Sequence, residues 1–148
     1  MFLTQTRRKL ALGCLTFIGM GLPISAAELT VDKPRIRELI PGQNKTVAYF
    51  DITNEGTLKV SLVGVVSDSV GVIEIHTILH NGDMVRMQQL PEVVLPPGKT
   101  VRFRSGGLHL MLLDVMDLQK ETEIQLLTSD GAIHRAIFQR ISLLESYE

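Results

Sequence analysis

Turn-forming residues punctuate this chain so closely that no long helix fits between them. Pro41-Gly42, Asn54-Glu55-Gly56, Asn81-Gly82, Pro96-Pro97-Gly98, Ser105-Gly106-Gly107 and Ser129-Asp130-Gly131 divide the text after residue 28 into short runs. These runs alternate apolar with polar residues or are plainly apolar, which is the pattern of strands; no long segment carries the 3.6-residue period of a helix. Strands are expected over Leu29–Val31, Arg35–Leu39, Thr46–Thr53, Leu58–Val66, Val72–Leu79, Met84–Leu90, Val101–Arg104, Leu108–Val115, Thr122–Leu127 and Ile133–Arg140. Strands and turns at this spacing predict an all-β antiparallel sandwich or barrel. The one helical turn expected lies in Asp114–Lys120.

The first 27 residues read as an export signal. Arg7-Arg8-Lys9 is a basic start, Leu10 to Leu22 an apolar core, and Pro23-Ile24-Ser25-Ala26-Ala27 ends in the small residues a signal peptidase accepts. Cleavage is expected after Ala27, with Ala26 as the near alternative, so that residues 28–148 form a single mature domain. The apolar run stops short of the ~20 residues that span a bilayer and meets Pro23. The twin arginine is followed by residues that suit folded export poorly, which favours the ordinary route. Leu12-Gly13-Cys14 is set aside as a lipid-anchor site, because too few residues separate Lys9 from the cysteine.

That cysteine is the only one in the chain, so the mature protein has neither disulfide nor thiolate. In an oxidising compartment the sulfur of such a chain comes from methionine, which forms no disulfide. Removing residues 1–27 takes three of 15 basic residues and none of the 16 acidic ones, leaving 12 against 16, a net charge near −4. An acidic mature chain without basic runs excludes nucleic acid and a membrane surface as partners.

Three of the four histidines and three of the six methionines fall between His76 and Met111. In His109-Leu110-Met111, strand alternation places the imidazole and the thioether on one face, about 7 Å apart. In His76–Met87, Asn81-Gly82 between alternating flanks signals a two-residue hairpin turn. With those two residues as the loop, 80 pairs with 83 and His76 faces Met87 directly, Cβ atoms ~5 Å apart. Two segments thus each offer one His and one Met, a set suited to a soft metal ion.

Single residues carry less weight. A lone strand histidine is ordinarily exposed or hydrogen-bonded, and methionine commonly fills cores. His80 is expected at the solvated turn edge and His134 in a structural or exposed role, while Met84 and Met116 are expected to pack. Catalysis finds no footing: Ser105-Gly106-Gly107 lacks the strand-turn-helix context of a nucleophile elbow, no paired carboxylates or HExxH stretch occur, and a blue-copper centre needs a cysteine. The residues therefore point to a binding protein and not an enzyme.

The same residues resemble a known family. Glu74-Ile75-His76, Met87 after ten intervening residues, and His109-x-Met111 after twenty-one more match the signature of the PCu(A)C periplasmic copper chaperones. PRIRELIPGQNKTVAYFDITNEG resembles the family's opening strands and VVLPPGKTVRFRSGGLHLML its closing segment, so the likeness runs from Leu29 to Gln139. Thr77 departs from the methionine that many members carry after the first histidine. The resemblance implies a cupredoxin-like Greek-key fold and Cu(I) bound by His76, Met87, His109 and Met111. It also implies a periplasmic location and delivery to the dinuclear copper site of cytochrome c oxidase, with that oxidase subunit or a Sco-type copper protein as partner. The alternatives are an exported β-sandwich interaction module whose His and Met residues merely pack, and a copper-buffering protein without a delivery role.

Overall fold

The computed structural model describes residues 28–144, so the expected export signal and the lipid-anchor motif lie outside the described residues. Ten strands occupy this stretch: β1 Leu29–Arg37, β2 Thr46–Asn54, β3 Val60–Val66, β4 Val70–Asn81, β5 Met84–Leu90, β6 Val93–Leu95, β7 Thr100–Phe103, β8 His109–Val115, β9 Glu121–Thr128 and β10 Ile133–Ile141. No helix occurs among the described residues, and none is long and apolar enough to cross a membrane. The helical turn expected in 114–120 is absent: Asp114 and Val115 stay in β8, and residues 116–120 are irregular, tied back by Met116 N–H donating to the Ser69 carbonyl at 3.0 Å.

The strands form one curled sheet in the order β5-β4-β8-β2-β1-β10-β9-β3-β6, with β7 also on β2. All pairs are antiparallel except β1 with β10, which run parallel, so the sheet is mixed where a purely antiparallel one was expected. The curl brings β3 against β4, strands far apart in the order. Inside the curl lies the core, where Phe50 stacks on Phe103 at 4.3 Å and meets the edge of Phe138 at 5.5 Å, alongside the fully buried Ile36, Ile52, Leu62, Leu110, Leu112, Ile124 and Leu126. Burial of this kind is worth roughly 25 cal/mol per Å² of apolar surface.

Two differences from the expected strands have local causes. The first two expected strands are one, β1, broken by a bulge between Asp32 and Arg35. Lys33 takes a positive φ of 50° there, and Pro34, which cannot donate a ladder hydrogen bond, sits in the irregularity where such a residue is tolerated. The short β6 was unexpected; Val93 and Leu95 are buried and pair with β3, but a three-residue strand between prolines carries too little pattern to read.

β7 and β8 lie end to end along the same edge of β2. Phe103 pairs with Phe50 and Leu110 with Ala48, so residues 104–109 stand opposite the single residue Tyr49. Residues 104–108 make a turn closed by Arg104 N–H donating to the Leu108 carbonyl at 2.6 Å, with Gly106 at φ 80°, a conformation that favours glycine. His109 is the residue at which the chain rejoins the sheet.

Candidate metal centre

Strand alternation on β8 buries Leu110 and Leu112 in the core and turns His109 and Met111 to the other face. On β4, Ile75 points into the core, and its neighbours Glu74 and His76 take the outer face. The β4–β8 ladder pairs His76 with His109 and Glu74 with Met111. The two imidazoles therefore sit side by side, ring centroids 5.8 Å apart and planes at 68°. Met111 is the neighbour of both, along its own strand to His109 and diagonally to His76.

Met87 joins from the other side, although not in the expected register. The hairpin pairs Asn81 with Met84, Ile78 with Met87 and His76 with Gln89, so its two-residue loop is Gly82-Asp83 and not Asn81-Gly82. Only Gly82 has a positive φ, 60°, which is the type II′ arrangement with glycine at the first central position. A type I′ turn, which an Asn-Gly loop favours, needs positive φ at both positions, and Asn81 remains in the ladder instead. The register moves by two residues, an even number, so Met87 keeps the face of His76 but becomes its diagonal neighbour, at roughly 7–8 Å between backbone positions.

The set is graded from inside to outside. His109 is 3% exposed, the His76 side chain 14%, Met111 is half-buried, and Met87, on the sheet's edge strand, is 47% exposed. The hydrogen bonds leave one nitrogen of each ring available. His109 Nδ1–H donates to the Gly107 carbonyl at 3.0 Å, leaving the Nε2 lone pair free. His76 Nε2–H donates to Glu74 Oε2 at 2.8 Å, and its Nδ1 is buried with no partner. A buried acceptor without a partner is costly unless something supplies one, and a metal ion does.

Glu74 and the Gly107 carbonyl are the functional groups that sequence reasoning missed. Glu74 was findable, since a residue two positions before a strand histidine shares its face. Gly107 was not, because its carbonyl direction is set by the 104–108 turn. Among the described residues no three His, Cys, Asp or Glu side chains gather into a metal site, so an ion held here depends on thioether sulfur. That donor set fits Cu(I), a soft ion that accepts thioether and neutral imidazole.

The remaining candidates lie elsewhere. His80 is exposed near the hairpin tip, as expected. His134 is on β10, paired with Leu126 of β9, far along the sheet order from β4 and β8. Met84 and Met116 do not pack: they are 69% and 70% exposed, because the free end of the edge hairpin and the loop after β8 are covered by no second layer.

Comparison with known proteins agrees with this architecture. Similar proteins include RP573 of Rickettsia prowazekii, uncharacterized by name, 33% identical over 110 residues, which are 71% of this chain and 60% of its own length. A second is Lxx21020 of Leifsonia xyli, a lipoprotein by name, 26% identical over 95 residues, 62% of this chain and 57% of its own. The chain thus spans less than two thirds of both. Among solved structures, the copper-bound PCuAC domain of PmoF2 superposes with a TM-score of 0.65 at 18% identity, over 79% of this chain and 96% of that domain. The Cu(I) form of DR1885 from Deinococcus radiodurans does so at 0.56 and 23%, over 86% and 84%. At such identities the likeness is one of fold, and the fold is that of PCuAC domains. The sequence profile of the LpqE-like lipoprotein family matches residues 29–126, about two thirds of the chain, and by that match the protein belongs to the LpqE-like family.

Proposed function

We propose that this protein is an exported Cu(I)-binding metallochaperone that holds its cargo with His76, Met87, His109 and Met111. The observation that carries the reading is the pair of imidazole lone pairs, His76 Nδ1 and His109 Nε2, held beside Met111 on one face of β4 and β8 with Met87 at the rim. Two neutral imidazoles and two thioethers add no charge and favour Cu(I) over Cu(II), which prefers a tetragonal nitrogen and oxygen set. Copper bound to the neighbouring PmoF2 domain and Cu(I) bound to DR1885 support the same cargo, and the lipoprotein naming of the family supports export.

A graded site also suits a carrier. The buried His109 and the half-buried Met111 retain the ion, while Met87 stands on an exposed edge strand that a thiolate-bearing acceptor can approach first. Delivery to the dinuclear copper site of cytochrome c oxidase in the periplasm, directly or through a Sco-type protein, is the proposed destination. Native mass spectrometry with equimolar Cu(I) under reducing conditions tests the binding. One bound ion is expected, and none would leave an interaction module as the better reading. Transfer from the loaded protein to candidate acceptors tests delivery, and retention against all of them would favour buffering.

A further inference from the structure

Glu74 stands beside the proposed site without belonging to the donor set, and its carboxylate is only a quarter exposed. Alternation along β4 brings it next to His76, and the ladder sets it opposite Met111, so it shares the face of the ligands. Its Oε2 is 2.8 Å from His76 Nε2. An ionised carboxylate can only accept, so this contact requires the proton to be on Nε2.

We infer that Glu74 is a positioning residue for the copper site: it holds His76 in the tautomer that frees Nδ1, so that His76 binds the ion through Nδ1 and His109 through Nε2. The inference deepens the copper reading and rests on it. Two further observations support it. The Nδ1 atom of His76 is buried without a partner, which is where the ring would stand if Nδ1 were reserved for an ion. His109 shows the mirrored arrangement, its Nδ1–H on the Gly107 carbonyl and its Nε2 free. Ligand imidazoles are generally oriented by such a bond from the non-ligating nitrogen. The carboxylate itself is a poor competitor for Cu(I), whose preference is for sulfur and imidazole nitrogen over oxygen.

The test compares the wild-type protein with Glu74→Ala and Glu74→Gln, reading the imidazole nitrogens by 15N NMR and the Cu(I) affinity by competition with a chromophoric chelator. Metal-free wild type should show His76 protonated on Nε2, and Cu(I) should shift the Nδ1 resonance of His76 and the Nε2 resonance of His109. Glu74→Ala should mix the tautomers and weaken binding about 10- to 100-fold. Glu74→Gln, whose amide oxygen still accepts, should restore both. The inference is overturned if Glu74→Ala keeps the tautomer and the affinity, or if Cu(I) shifts Nε2 of His76. It is equally overturned if Glu74→Gln keeps the tautomer yet binds as weakly as Glu74→Ala, which would assign the effect to charge. A wild-type protein that takes up no Cu(I) would sink the copper reading, and that result is read apart from the tautomer, which the metal-free protein reports.

Discussion

Replacing Gly82 with valine tests how the hairpin controls the site from a distance. Gly82 occupies the first central position of the β4–β5 turn at φ 60°, and a Cβ added there meets nothing within 4 Å. The cost is therefore one of backbone conformation without collision, about 1–3 kcal/mol for a side chain forced into a sparsely populated region, with a β-branched residue at the upper end. The strands beside the turn have little burial to resist it, since β5 is exposed along nearly its whole length. Local opening of the hairpin end should relieve the strain more easily than global unfolding.

The expected outcome is a 5- to 150-fold rise, in order of magnitude, in amide hydrogen exchange across residues 79–87, since each 1.4 kcal/mol is tenfold. Exchange in β2 and β10 should stay as it was. Cu(I) affinity should fall by no more than the same factor, because only Met87 is carried by the loosened segment. Gly82→Asn, which accepts positive φ more readily, should recover most of both. Unchanged exchange at 79–87, or a rise spread evenly over the sheet, would refute the reasoning and mean that the surrounding sheet and not the turn positions Met87.

Three other outcomes can be checked directly. Met111→Leu should weaken Cu(I) binding strongly while costing under about 1.5 kcal/mol in chemical denaturation, because leucine fills similar volume without sulfur; equal affinity would remove Met111 from the site. His134→Ala should leave the copper stoichiometry in native mass spectra unchanged, and a loss would show that the site extends to β10. Intact-mass analysis of the exported protein should give a chain beginning at Glu28, whereas a lipid-modified Cys14 would show that the family's lipoprotein naming applies here literally.

How much of this was legible beforehand differed by scale. The all-β architecture and the face shared by His109 and Met111 follow from alternation, which the core residues Leu110 and Leu112 enforce. The His76 to Met87 register was missed by two residues because an Asn-Gly pair permits a type I′ turn, and the sequence carries no sign that Asn81 prefers to stay in the ladder with Met84. The parity survived, since both loops contain two residues. The parallel β1–β10 pair and the proximity of β4 to β8 depend on long-range pairing that no local pattern reports. Met84 and Met116 were misplaced because methionine's usual role as filler presumes a second layer over the strand.

On β8 the residues that hold the protein together and those that meet the ion occupy alternate positions of the same strand, Leu110 and Leu112 inward and His109 and Met111 outward. Heredity can therefore edit the two roles almost independently. Point substitutions at the outer positions rewrite the chemistry and leave the inner row of leucines in place, so a descendant can lose its metal and keep its fold, or acquire a different metal on the same frame. A single-residue insertion within the strand is a different event. It exchanges the two rows at once, and a lineage would lose fold and chemistry together.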